Sequence, residues 1–168
     1  MGFEIHPETP PEGTNLTDRF SRLQVEQMYQ NLRARGTAFG IIFGDLTLLS
    51  NSRLAMEVAE FARDRGKFEP LHESLFRAYF TDTQDIGRHD VIMEMAAQIG
   101  LDTTALREAL EQHTYAERLD NVTREAHQLG ITAAPTFIVN DMYKIVGAHP
   151  LEVFQDLFTK IAAGEEIS

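Results

Sequence analysis

The sequence predicts an α/β fold in which a sheet-containing domain is interrupted by a long helical insertion. Three observations carry this. A short extended segment opens the chain at residues 2–6, where Phe3 and Ile5 share one face. Residues 17–130 then show almost unbroken helical periodicity. The chain closes with two short apolar strands around Asn140-Asp141, followed by one amphipathic helix. Strands at both ends with helices between place the sheet in residues 1–16 and 131–168, and the inserted helical domain in residues 17–130.

Composition narrows the chemistry. The 168 residues are 43% hydrophobic and 24% charged, as in an ordinary globular chain with room for a real core. Fifteen basic and twenty-six acidic residues leave a formal charge of −11, which repels phosphate backbones and argues against nucleic acid as a partner. No apolar run is long enough to span a bilayer, and no signal-peptide core is visible, so no membrane partner and a cytoplasmic location are the expectations. The sequence contains no cysteine. Disulfides, thiolate nucleophiles, Cys-ligated zinc and iron–sulfur clusters are therefore excluded for this chain.

Taken in order, residues 7–15 are rich in Pro, Glu, Gly and Thr and read as a surface loop. A helix is expected over residues 18–35, capped by Asn15 or Thr17 and stopped at Gly36. Residues 37–49 are apolar and contain Gly40 and Gly44; they read as an irregular buried segment with a short strand over residues 41–43. Asn51 or Ser52 caps the next helix, to about residue 65, with Leu54, Ala55, Val58, Ala59, Phe61 and Ala62 inward. Further helices follow over residues 68–81, 89–99, 104–112 and 115–129, with Tyr115 either continuing the preceding helix or breaking from it. Strands at 136–139 and 143–147 flank a tight Asn-Asp turn, and a helix runs from Leu151 to Ala163.

The most informative residue is Pro135, in the run Ile131-Thr132-Ala133-Ala134-Pro135-Thr136-Phe137-Ile138-Val139. Proline cannot donate to a strand ladder and belongs at a strand start or edge. The ordered pattern of small residue, Pro, Thr, Phe, strand, turn and strand, then Gly147-Ala148-His149-Pro150 and a helix, resembles the C-terminal signature of the DsbA-like thioredoxin-fold family. Phe3-Glu4-Ile5-His6-Pro7 through Pro10-Pro11-Glu12-Gly13, Asn51-Ser52, and Leu75-Phe76-Arg77-Ala78-Tyr79-Phe80 through Asp85-Ile86-Gly87 resemble its FrnE-like branch in the same order.

The resemblance implies a thioredoxin-like (DsbA-like) fold with a large helical insertion, N-terminally truncated, because family members begin with a strand, a Cys-x-x-Cys turn and a helix ahead of the Phe3 segment. It implies a cis Ala134–Pro135 bond whose loop presents backbone groups to a peptide or thiol substrate, with Ala134 and Thr136 flanking and Asn51 facing the same groove. The relatives would be thiol–disulfide oxidoreductases, in which one thiolate attacks a substrate disulfide and a second thiol resolves it. Lacking both sulfurs, this chain is expected to be inactive in thiol redox by itself. A non-catalytic peptide-binding or dimerisation module is the rival reading. A relative of glutathione-dependent chromene-carboxylate isomerases and kappa-class glutathione transferases is a third; Ser21, Ser50, Ser52 and Ser74 match no position of its catalytic serine. Removal of a first strand would leave sheet edges open, so a homodimer is expected, joined through Phe3, Ile5 or the 136–139 strand.

Each candidate has a plainer explanation. Pro135 also serves as a strand-initiating turn, and Asn51 as a helix cap. Arg77, Tyr79 and Phe80 read as groove wall or core. The six histidines, His6, His72, His89, His113, His127 and His149, show no i, i+4 pair and no His-Glu-x-x-His run, so no metal site and no cofactor are expected.

Overall fold

The computed structural model describes residues 4–164. The chain divides into two compact units, Met1–Glu125 and Ala126–Ser168.

In the first unit, β1 (Thr14–Asn15) pairs antiparallel with β2 (Leu48–Leu49). The expected strand over residues 2–6 is not formed in its described part: Glu4, Ile5 and His6 are not extended into a ladder, and Gly2 and Phe3 lie outside the described residues. The Glu4 carboxylate instead meets Arg53 at 3.0 Å, and Ile5 stays exposed.

The single helix expected over residues 18–35 is two, α1 (Leu16–Arg19) and α2 (Arg22–Thr37). The break has a local cause. Ser21 is extended and forms a capping box with Gln24, satisfying two amide donors that would otherwise be orphaned at the start of α2. Gly36 does not stop this helix. It lies inside α2 because a Cβ there would come within 2.8 Å of the Phe43 ring and 2.9 Å of the Ile41 carbonyl. Its role is close approach of the following loop, not termination.

That loop corrects another expectation. Residues 41–47 form no strand, and Phe39, Ile41 and Ile42 are exposed at 81%, 50% and 71%. The loop is held by its backbone: Gly44 N–H donates to Phe80 O (2.8 Å), the Thr81 hydroxyl donates to Ile42 O (2.7 Å), and Arg33 donates to Phe43 O (3.1 Å). Phe43 and Leu46 turn inward with Leu16, Tyr29 and Tyr79 to make a small second core.

The main core is built by α3 (Arg53–Arg63), α4 (Phe68–Phe76), α5 (His89–Gln98) and α6 (Thr103–Glu111). Ala55, Val58, Phe61 and Ala62 lie on one stripe of α3 and are buried; Leu54 and Ala59 flank them. Phe61, Leu71, Ile92 and Leu106 are fully buried, each contributing about 1.5–3 kcal/mol of transfer free energy. The helix expected over residues 68–81 changes winding: α4 passes into a π-helical turn at Arg77–Thr81. Tyr79 and Phe80 stay partly buried, Tyr79 donating to Leu48 O at 3.1 Å, while Phe76 is exposed. Asp102 caps α6 through two backbone N–H bonds. Tyr115 breaks from α6 through a turn with φ of +51° at His113, and α7 (Ala116–Gln128) follows.

In the second unit, β3 (Thr136–Val139) pairs antiparallel with β4 (Tyr143–Val146), in the register Thr136 with Val146 and Val139 with Tyr143. Asn140 and Asp141 both have positive φ, the combination a type I′ turn requires, and Met142 N–H closes it onto Val139 O. The helix α8 (Leu151–Ala163) covers one face of the hairpin through an edge-on contact of Phe137 with Phe154 at 4.9 Å. No helix among the described residues is long and apolar enough to cross a membrane.

Candidate functional site: the cis-proline loop and its strand edge

The loop begins at the end of α7. Gly130, at φ +63°, gives its N–H to His127 O (3.0 Å), and Ile131 gives its N–H to Ala126 O (2.8 Å). This is the Schellman pair, which satisfies the last carbonyls and reverses the chain. Lys144 from β4 donates to Gly130 O at 3.2 Å and ties the helix end to the hairpin.

The chain then runs through Ala133 and Ala134 into a cis Ala134–Pro135 bond. The Thr136 hydroxyl donates to Ala133 O at 2.6 Å, closing the loop upon itself. On the facing strand Gly147 N–H donates to Pro135 O at 2.8 Å. Ala134 and Pro135 are exposed and Thr136 is half-buried. The sequence-predicted trio thus forms one continuous surface.

The Gly147–Pro135 bond fixes the parity of the ladder. In an antiparallel pair, a residue's N–H and C=O point the same way and the direction alternates along the strand. Pro135, Phe137 and Val139 turn their polar groups toward β4, so Thr136 and Ile138 turn theirs away. Among the described residues that outer edge has no partner strand. Two apolar side chains of the strand are accessible, Phe137 41% and Ile138 42% exposed, while Thr136 and Val139 are half-buried. Such an edge supplies two N–H donors and two C=O acceptors to any extended chain laid along it.

Asn51 lies in the first unit. Its Nδ2 donates to Thr9 O at 2.6 Å, and its Oδ1 accepts from Arg53 N–H at 2.9 Å. Ser52 occupies the cap position of α3 without a side-chain bond, so Asn51 does the capping from one residue earlier. It also staples the 6–13 loop to the helix start.

Two arginine centres escaped sequence reasoning. Arg53 contacts Glu4 (3.0 Å), Glu57 (3.5 Å) and Asp120 (2.9 Å) and donates to Ala116 O (3.1 Å). Only its i, i+4 relation to Glu57 was visible in the sequence. Arg118 bonds Glu60 (3.1 Å) and Asp64 (2.9 Å) and lies over the Tyr115 ring. The hydrogen bond from Arg118, opposed by desolvation and aided by the Tyr115 hydroxyl, holds the Asp64 carboxyl below its usual range. These centres bind helices to one another; neither presents a free reactive group.

His6 contacts Glu8 at 3.2 Å and the His149 ring contacts Val146 O at 3.0 Å. No group of three or more metal-ligating side chains is assembled among the described residues. A cleft of about 370 Å³ lies between α5 and α6, lined by His89, Asp90, Met93, Arg107, Leu110 and Glu111.

Comparison with known proteins agrees with this geometry. The DSBA-like thioredoxin domain matches residues 2–159. An uncharacterized Bacillus subtilis protein, YwbO, is 30% identical over 156 residues, which are 92% of this chain and 77% of that protein. The crystal structure of a probable DsbA oxidoreductase, SCO1869 from Streptomyces coelicolor, superposes with a TM-score of 0.85 at 27% identity, covering 99% of this chain and 75% of the other. A cis proline at the head of an apolar strand, a helical lobe and an ordered match along nearly the whole length place this chain in the DSBA-like thioredoxin domain family.

Proposed function

We propose that this chain is a binding member of the DsbA-like family, FrnE-like, which takes an extended peptide along the Thr136–Val139 edge and does not exchange thiols by itself. The observation that carries this reading is the pairing of an accessible cis-proline strand edge with a chain that contains no sulfur nucleophile. Thiol exchange requires an attacking thiolate and a resolving thiol. Binding along a strand edge requires only outward N–H and C=O groups and apolar contacts, and Thr136 and Ile138 supply both.

The test has two arms. Purified protein with dithiothreitol or glutathione should reduce insulin no faster than the reductant alone; turnover above that background overturns the redox half. A fluorescein-labelled, uncharged β-branched heptapeptide should gain anisotropy with the protein, and Ile138→Pro, which removes an outward N–H, should weaken that binding at least tenfold. Equal binding by wild type and variant overturns the peptide half.

A further inference from the structure

We infer that the cleft between α5 and α6 binds a small zwitterion, a free α-amino acid with an apolar side chain. Both of its walls come from residues 89–111, so it stands apart from the strand edge assigned to peptide binding.

The cleft is built in advance of any ligand. α5 and α6 are joined by a short turn in which Gly100 N–H donates to Ala97 O and Leu101 N–H to Ala96 O, both at 2.9 Å. Lys67 Nζ clamps that turn, donating to Ile99 O at 2.7 Å and to Gly100 O at 3.0 Å. Asp102 caps α6 through two further N–H bonds, and Ile92 and Leu106 are fully buried in the main core. With the helices held in this way, the cleft of about 370 Å³ opens away from the turn, around His89 and Glu111. That volume is at the small end of ligand pockets, which run from about 300 to 1,000 Å³. It suits a small molecule and not a folded partner.

Its charges select the ligand. Met93 and the buried Leu110 supply apolar lining. Asp90 is already committed, because Arg88 bonds its two oxygens at 3.0 and 2.6 Å. Arg107 and Glu111 are not. They stand four apart on α6, the spacing at which opposite charges meet, but in the less favourable order of cation before anion. Among the described residues neither side chain has a hydrogen bond or an ion pair. The cleft therefore carries one unanswered cation and one unanswered anion beside apolar surface, with His89 on the facing helix. A simple carboxylate would satisfy Arg107 but meet repulsion from Glu111 and from a chain of net charge −11. A simple amine would satisfy Glu111 and leave Arg107 bare. An α-amino acid answers both: its carboxylate takes the planar guanidinium, its ammonium takes Glu111, and its side chain lies over Met93 and Leu110. Both charges are exposed and screened by water, so binding in the millimolar range is the expectation.

The probe is L-leucine, titrated into the 15N-labelled chain and followed by amide chemical shifts. Saturable shifts should appear in α5 and α6 around the cleft. N-acetyl-leucine lacks the ammonium, leucinamide lacks the carboxylate and glycine lacks the apolar side chain; each should bind roughly threefold or more weakly than leucine. Arg107→Gln and Glu111→Gln should each weaken leucine by a similar factor with unchanged helical circular dichroism. Arg107→Gln should also abolish the preference for leucine over leucinamide, and Glu111→Gln the preference over N-acetyl-leucine, which a merely structural role would not do. Absence of saturable shifts overturns the inference, as do shifts confined to other elements. Leucine bound equally by wild type and both variants, or N-acetyl-leucine bound as tightly as leucine, overturns it too. Failure of peptide binding at the strand edge would sink only the proposed function, since no residue is shared between the two sites.

Discussion

Asn51 illustrates how one side chain does two structural jobs. Its amide joins the Thr9 carbonyl to the first N–H of α3, and both bonds are partly shielded from water. Asn51→Ala should cost about 1–2 kcal/mol, the sum expected for a lost cap and a carbonyl left without its donor. A urea midpoint that does not move would refute this. Asn51→Asp should recover only part, because a carboxylate accepts from Arg53 but cannot donate to Thr9. Tyr29 offers a spectroscopic test. Burial, with Tyr79 nearby, pushes its phenol up to about 12 from an ordinary 10.0. A neutral group whose folded pKa is raised stabilises the fold below its unfolded pKa. That stability is lost as pH rises from 10 through 12. Tyr29→Phe should remove the latest phase of tyrosinate absorption in the folded protein. Asp64 works in the opposite direction. Its folded pKa is depressed below 3.8, so its contribution is complete above that value and fades as pH falls through the folded pKa. Arg118→Ala should make stability less sensitive to acid in that window, by a modest amount because the pair is largely solvent-exposed.

Among the elements, the bend at Gly44 is the most constrained. A Cβ there would run into the Thr81 carbonyl and lie 2.6 Å from the Thr83 methyl, and the obstacle is backbone of the π-helical turn. Gly44→Ala should therefore destabilise by about 1–3 kcal/mol, read as a lower thermal midpoint with the same enthalpy per residue. An unchanged midpoint would show that the turn yields. In the sequence Gly36 reads as a helix stop and Gly44 only as part of an irregular buried segment. Their actual role, letting two backbones touch, is invisible to a one-dimensional pattern because the second backbone comes from elsewhere in the chain. The helix starts at Ser21 and Asp102 and the turn at Asn140-Asp141 rest on neighbours within three residues, and such signals survive in sequence.

At the scale of the molecule, the two units differ in how much core they own. The first holds fourteen buried residues in its main cluster, whereas in the second only Ala126 and Leu157 are buried among the described residues. Amide exchange should accordingly be faster in β3, β4 and α8 than in α3 to α6, reflecting openings of lower free energy. Equal protection in both units would contradict this.

The sequence by itself determined the chemistry that is absent, since a chain without cysteine has no thiol in any fold. It also determined where most helices lie, the hairpin with its turn, and the proline around which the site is built, because periodicity, caps and turn residues act over a few positions. The tertiary structure alone decided that Phe39, Ile41 and Ile42 face water rather than a core, that Asn51 spends its amide on Thr9 and Arg53, and that Arg53 gathers Glu4, Glu57 and Asp120. Hydrophobicity states only a preference for burial, and whether it is met depends on which surfaces long-range packing brings within reach. Thr136 and the three apolar residues 137–139 looked like an ordinary strand for the same reason; only the pairing parity revealed which of its backbone groups remain free to bind.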